Sequence, residues 1–258
     1  MKNKKKILIL GVDSFIGNYI KKKISKQFDI YGTTNKKSKL NSKTFFLDLK
    51  KPNLKIIKKE FDVILICAGK NNLKFCQDNF KEANRINYLG LKKIIRKSLN
   101  EGIFIIFLSS NLVFNGLKKF YKTTDMPSPK SNYGKLKLKV ENFLKKHPKK
   151  NFCILRLTKI YSEKEGLIPY WKEKIKLKQK INLDCSFKIS PLPIDYISKY
   201  IIKIIKKKIC GIYHLSNKNE FTLKDFLFKK LGNYQNLAIN NKTFNWRNAH
   251  NCLKVKLP

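Results

Sequence analysis

Apolar residues follow two alternating rhythms along this chain. Ile7 to Leu10 is a short continuous apolar run, which predicts a buried strand, and Gly11 breaks it. From there the apolar positions are Phe15, Ile16, Tyr19, Ile20 and Ile24, the spacing of a helix. The alternation then repeats. Phe28–Tyr31 predicts a second strand, Thr44–Leu47 a third, and Leu54–Lys59 a lysine-rich helix. Asp62–Cys67 is nearly all apolar, as expected of a parallel strand covered on both faces. Phe80–Leu99 predicts a long helix facing inward through Ala83, Ile86, Leu89, Leu91, Ile94 and Ile95, stopped by Gly102. Ile103–Leu108 is the next strand, a helix begins at Tyr133 after Pro127-Ser128-Pro129, and Asn151–Leu157 is a sixth strand. Strands alternating with helices predict an α/β fold with a parallel sheet. Beyond Leu157 the rhythm changes. Helices are expected at Tyr170–Leu177, at Ile194–Lys206, packing back on the sheet, and at Thr222–Leu231, capped by Thr222, with a late strand at Gly211–Leu215. The predicted division is a main domain over 1–158 and a smaller lobe, interleaved with it, over 159–258.

Composition narrows the setting. The 258 residues are 42% hydrophobic, enough for a sizeable core. The formal net charge of +41 raises the question of nucleic acid. Only four of the 58 basic residues are arginines, however: Arg85, Arg96, Arg156 and Arg247. The lysines are spread over every segment, so they read as solvated faces, with no specific nucleic-acid partner. The field they create still favours anionic ligands. Cys67, Cys76, Cys153, Cys185, Cys210 and Cys252 form no CxxC pair and read as reduced, buried thiols of a cytoplasmic protein. The first apolar run is too short for a signal peptide, and no stretch approaches the roughly 20 residues of a membrane span. His147, His214 and His250 are scattered and predict no metal site.

Candidate chemistry falls at the ends of the strands. Gly11 and Gly17 occupy the first and third places of a GxxGxxG turn, with Ser14 in the middle place. Such a turn presents backbone amides and a helix N-terminus to a pyrophosphate. After the second strand, Gly32-Thr33-Thr34-Asn35-Lys36-Lys37 contains no acid to hold ribose hydroxyls. Small hydroxyls followed by lysines suit a 2′-phosphate, which favours NADP(H) over NAD(H). Asp48 suits either an adenine contact or a turn cap, and Ala68-Gly69 leaves room for a cofactor. Asn87 reads as a satisfied hydrogen-bonding group within its helix. Ser109, Ser110 and Asn111 end a central strand. Tyr133 and Lys137 lie four apart and so share a helix face, 23 residues beyond Ser110. An ammonium beside a phenol is expected to lower the phenol's pKa.

In this order the segments GVDSFIG, FFLDL, VILICAG, NFKEANRINYLGLKKI, FLSSNLVFNG, PSPKSNYGKLKLKVE, ILRLTKIYS, SPLPIDYIS and GIYHLSN resemble the extended short-chain dehydrogenases/reductases, close to the dTDP-4-dehydrorhamnose reductase group. The resemblance runs from about residue 5 to 231, and Arg247 to Leu257 resembles the family's closing segment. It implies a Rossmann-type doubly wound parallel sheet with a smaller C-terminal substrate-binding lobe. It implies reduction of a 4-keto-6-deoxy nucleotide sugar for surface polysaccharide synthesis, and it is compatible with a homodimer. An epimerase or dehydratase, or a non-catalytic NADP-binding regulatory subunit, would share the same features. By resemblance, Tyr133 is the proton donor, Lys137 holds the nicotinamide ribose, and Ser110 bonds the substrate carbonyl, with Ser109 its less suitable neighbour. Gly11, Ser14, Phe15, Ile16 and Gly17 form the pyrophosphate turn. Thr33 belongs to the 2′-phosphate side, Asp48 and Leu49 to the adenine, Ala68 and Gly69 to the ribose-side strand end, and Asn87 to a structural position near a water chain. Three features depart from the group: Ser14 in the glycine turn, Ser110-Asn111-Leu112 where Thr-Asp-Tyr is usual, and Lys159 where an aromatic residue is usual. The early end at Pro258 predicts a short or missing last helix. Lys159, Lys172 and Lys188 are candidate diphosphate contacts, although each suits a solvated lysine better.

Overall fold

The computed structural model of the chain describes residues 4–240 and 250–257, and Arg247 lies outside them. In chain order the elements are β1 (Lys6–Leu10), α1 (Phe15–Ile24), β2 (Asp29–Thr34), β3 (Thr44–Phe46), β4 (Val63–Ile66), α2 (Leu73–Asp78), α3 (Phe80–Asn84), α4 (Leu91–Asn100), β5 (Phe104–Ser110), α5 (Asn132–Lys146), β6 (Phe152–Leu157), β7 (Lys159–Tyr161), α6 (Leu167–Lys176), β8 (Ile181–Asp184), β9 (Pro191–Pro193), α7 (Ile194–Lys207), β10 (Gly211–Leu215), α8 (Leu223–Leu231) and β11 (Leu237–Asn240). Seven strands form one parallel sheet in the order β10-β6-β5-β4-β1-β2-β3. The chain enters mid-sheet, winds outward to β3, then returns past β1 to β4. This is the doubly wound Rossmann arrangement.

The apolar runs are continuous because both faces of the sheet are covered. Side chains alternate along each strand. Ile7 and Ile9 turn to the side packed by Ile20 and Ile24 of α1 and by Ile197, Ile201, Ile204 and Ile205 of α7. Leu8 and Leu10 turn to the side packed by Leu91, Ile94, Ile95 and Leu99 of α4 and by Val140 and Leu144 of α5. Each fully buried aliphatic side chain contributes about 1.5–3 kcal/mol. A separate core of Ile168, Trp171, Ile181, Leu183, Phe226 and Leu227 unites α6, β8 and α8. Thr222 and Asp225 cap α8 with a reciprocal capping box. The second half of the chain thus supplies both this small lobe and, through α7 and β10, part of the main sheet.

Several expected elements change. The helix expected at Leu54–Lys59 is one 3₁₀ turn, Leu54–Ile56. The chain passes there from edge strand β3 beneath β2 and β1 to β4. The second strand continues through Gly32 to Thr34, and the strand expected to end at Leu108 runs on to Ser110. The long helix contains a π turn at Arg85–Gly90 between α3 and α4. The inserted residue rotates the surface, so Leu89, expected inward, is 42% exposed. Cys210 is exposed rather than buried, and all six cysteines are unpaired. Among the described residues no helix is long and apolar enough to cross a membrane.

Because α7 closes the main core, Ile201→Ala is expected to cost about 2–5 kcal/mol. Urea denaturation should show this as a lower midpoint at unchanged slope. An unchanged midpoint would mean that α7 does not hold the sheet.

Candidate active site

The carboxyl ends of the central strands open on a cleft of 680 Å³. Its walls include Ser14, Phe15 and Ile16 beside β1, Ala68, Gly69 and Lys70 beyond β4, Ser110 of β5, Tyr133 and Lys137 of α5, and Thr158 and Lys159 beyond β6. The structure therefore brings together Ser14, Phe15, Ile16, Ala68, Gly69, Asn87, Ser110, Tyr133 and Lys137. Gly11, Gly17, Thr33, Asp48 and Leu49 do not line the cleft.

The glycine turn explains part of that division. Gly11 has φ +77°, and a Cβ there would sit 2.9 Å from Ala68 Cα. A Cβ on Gly17 would sit 2.2 Å from the Gly11 carbonyl oxygen. Gly11 lets the turn approach the end of β4, Gly17 lets α1 close on the turn itself, and neither position tolerates a side chain. Ser14 is the N-cap of α1. Its Oγ donates to the Gly11 carbonyl at 2.7 Å and accepts from the Gly17 amide at 3.1 Å. The hydroxyl is therefore turned into the helix instead of crowding a ligand. The next amides, Phe15 and Ile16, are first-turn donors without an intrahelical acceptor, at the positive end of the helix.

Thr33 is buried, and its Oγ1 accepts from the Gly11 amide at 3.1 Å. It braces the turn from behind rather than facing a phosphate. Lys36 and Lys39 lie 3.9 and 3.8 Å from the Asp13 carboxylate, which comes from the turn itself. Asp48 caps its own turn by accepting from the Lys50 amide at 2.8 Å. Leu49 is buried, and its carbonyl is packed where a Cβ on Gly90 would lie 1.9 Å away. Both residues are thereby drawn off the cleft. Asn87, in the π turn, accepts from the Lys70 amide at 2.7 Å and donates to the Lys70 carbonyl at 2.8 Å. It fixes the loop after Gly69 as a satisfied group.

Helix α5 starts at Ser131, whose Oγ accepts from the Gly134 amide at 3.1 Å. Lys137 Nζ donates to the Leu108 carbonyl at 2.8 Å and lies 4.7 Å over the Phe107 ring and 5.6 Å from the Tyr133 ring centre. The expected lowering of the Tyr133 pKa is reversed. Burial pushes this phenol upward, and burial likewise lowers Lys137 to about 8. The ammonium is directed to a carbonyl, and desolvation dominates at the phenol. Ser110 Oγ accepts from the Leu112 amide at 3.2 Å and makes only a long 3.3 Å bond to Asn111 Oδ1. Ser109 instead donates to the buried Glu141 at 2.6 Å.

Thr158 and Asn251 were not legible as site residues. Thr158 Oγ1 is buried at the cleft wall without a hydrogen-bond partner among the described residues, which is unusual for a buried hydroxyl. Its position at the carboxyl end of a strand was the available signal. Asn251 arrives from the far end of the chain and accepts from Asn111 Nδ2 at 2.6 Å, and no local pattern marks it. Of the candidate diphosphate contacts, Lys159 lines the cleft and Lys172 and Lys188 do not. Among the described residues the lining holds three lysines, Lys70, Lys137 and Lys159, and no carboxylate, so the cleft favours anions. The first-turn amides at the positive end of α1 fit the diphosphate of a dinucleotide. Among the described residues no group of His, Cys, Asp and Glu side chains is placed to hold a metal.

A family model, RmlD substrate binding domain, matches residues 5–238. A curated relative, methionine adenosyltransferase 2 subunit beta of Xenopus tropicalis, is 24% identical over 170 residues, covering 62% of this chain and 51% of the relative. The chain thus spans about half the length of the curated relatives it matches. Among solved structures, the dTDP-4-dehydrorhamnose reductase of Bacillus anthracis in complex with NADP superposes with a TM-score of 0.83 at 20% identity, covering 98% of this chain and 91% of that one. The UDP-glucose 4-epimerase of Thermus thermophilus, complexed with NAD, gives 0.80 at 16% identity, covering 96% and 90%. At these identities the likeness establishes the fold.

The depressed Lys137 has a stability consequence. Between pH 8 and its ordinary value of 10.5 the unfolded chain holds a proton that the folded chain has released. Folding stability therefore rises with pH across that window. Wild type is expected to gain on Lys137→Met between pH 8 and 10 in urea denaturation. A pH-independent difference would place this lysine at its ordinary value.

Proposed function

The chain belongs to the RmlD substrate binding domain family, and on that premise we propose that it is an NADP(H)-dependent reductase of a 4-keto-6-deoxy nucleotide sugar in surface polysaccharide synthesis. The observation that carries this reading is the meeting of Ser110, Tyr133 and Lys137 in one cleft with the amides that open α1. The amides of Phe15 and Ile16 bind the pyrophosphate, with Gly11 and Gly17 shaping the turn, Ser14 capping it and Thr33 bracing it. Ala68 and Gly69 leave room for the ribose side. When bound, the reduced nicotinamide supplies the hydride that converts the sugar carbonyl carbon to an alcohol carbon. Tyr133, whose phenol is protonated at neutral pH even at its ordinary value, donates its hydroxyl proton to the carbonyl oxygen. Ser110 hydrogen-bonds the same oxygen, and Lys137 holds the ribose and keeps positive charge beside the phenol. Holding both reactants in one cleft supplies much of the acceleration. A cytoplasmic setting, supported by six unpaired cysteines, and a homodimer complete the reading, and sedimentation equilibrium tests the latter.

Tyr133→Phe is expected to lose about 10²–10⁴-fold in turnover while NADPH binding, read by its fluorescence, persists. Unchanged turnover would sink the assignment of Tyr133. A second reading, a cofactor-binding subunit without turnover, is raised by the name of the curated relative. It is expected to be indifferent to this substitution and inactive on every keto nucleotide sugar of a panel. An epimerase would instead retain its cofactor with no net NADPH oxidation.

The preference for NADP(H) rests on the acid-free Thr33–Lys37 segment and on Lys36 and Lys39. NADPH is expected to bind more tightly than NADH, and the double variant Lys36→Ala, Lys39→Ala to erase the difference. Equal binding of the two cofactors to wild type would remove the preference.

A further inference from the structure

The walls of the cleft are joined behind it by one buried carboxylate. Tyr133, Lys137 and Glu141 follow one another at intervals of four along α5 and so share a face. The first two reach the cleft, whereas Glu141 is 0% exposed. Arg156 of β6 grips it with Nε 3.0 Å from Oε1 and Nη2 2.7 Å from Oε2. Ser109 of β5 donates to the same carboxylate at 2.6 Å. Behind Arg156, its Nη1 lies 3.3 Å from His214 Nε2 of β10. Burial first, then the Arg156 charge, lowers His214 to about 4. The imidazole is therefore neutral, accepting at Nε2 and donating at Nδ1 to the Tyr121 carbonyl, 3.1 Å away. The Phe114 ring covers the guanidinium at 5.0 Å.

A buried ion pair explains little by stability alone, because apolar side chains of similar volume often replace one without loss. The position of this one is more informative. Ser109 precedes Ser110, Arg156 stands two residues before Thr158, and Glu141 lies one helical turn beyond Lys137. One carboxylate thus ties α5 to the ends of both strands that face it.

We propose that Glu141, held by Arg156 and Ser109, is a positioning residue that fixes Tyr133 and Lys137 of α5 at their working distance from Ser110. The proposal rests on the reductase reading. A slide or rotation of α5 would separate the proton donor from the hydroxyl that holds the same carbonyl. A misplacement of roughly 1 Å costs about 10²-fold in rate.

The test uses two variants of the full chain. Glu141→Leu combined with Arg156→Met replaces the pair by apolar volume. It is expected to keep the thermal midpoint within a few degrees and to bind NADPH like wild type, while kcat falls about 10–100-fold at unchanged KM. Ser109→Ala removes one bond of the grip and is expected to lower kcat several-fold, again with binding intact. Should the double variant fail to fold, Ser109→Ala decides alone. Wild-type kcat in a folded variant overturns the proposal. The emission maximum of bound NADPH is recorded in parallel. It is expected to shift in both variants as the nicotinamide side of the cleft loosens, and no shift overturns the proposal without reference to turnover. Lack of turnover in wild type itself would instead be a failure of the reductase reading.

Discussion

Parallel strand pairing is the constraint on which the rest of the molecule depends. Seven strands running in one direction deliver every carboxyl end to one edge of the sheet. Each connection must then cross back over a face, so both faces become covered and the strands become continuously apolar. The order reverses between β1 and β4, leaving a crevice at that edge. Every group with candidate chemistry stands within a few residues of a strand end or on a helix that lies against it: Ser14 beyond β1, Ala68 beyond β4, Ser110 closing β5, Thr158 beyond β6. The cleft is therefore a consequence of sheet topology, and its particular chemistry is a matter of which residues stand there.

Charge acts at two ranges. The net charge of +41 makes a broad attractive field for anions, but most of its lysines are solvated and their ion pairs exposed, which adds little to stability. Inside the cleft the effects are local and stronger. Backbone amides at the start of α1 need no side-chain charge to meet a pyrophosphate. Burial raises the pKa of Tyr133 and draws Lys137 down to about 8, so a phenol and a titratable cation sit side by side in the cleft. Asp13, close to Lys36 and Lys39, tempers the charge beside the glycine turn.

Most polar groups around the cleft are satisfied from within the protein. Thr33, Asn87, Ser109 and Ser14 all make internal hydrogen bonds that hold loops or helices. Such groups look like ligand contacts when read one residue at a time. Their bonds show that they also hold the walls of the cleft in place. Thr158 is an exception, a buried hydroxyl on the wall that has no partner among the described residues.

The sequence by itself determined the class of fold, the strand–glycine–helix opening, and the pairing of Tyr133 with Lys137. Each of these depends on local spacing: periods of two and 3.6, a glycine where the backbone must turn, and side chains four apart on a helix. Only the tertiary structure decided where hydrogen bonds and burial fell. It turned Ser14 inward as a cap, placed Thr33 behind the turn and Asp48 in a turn of its own, and exposed Leu89 through a π turn that no apolar pattern announced. It raised the Tyr133 pKa where a neighbouring ammonium alone suggested the reverse. It also brought Asn251 and Arg156 to the cleft and its rear wall from distant parts of the chain. The reason is physical. Periodicity is set by the backbone within a few residues, whereas desolvation and hydrogen-bond satisfaction depend on neighbours that only folding brings close.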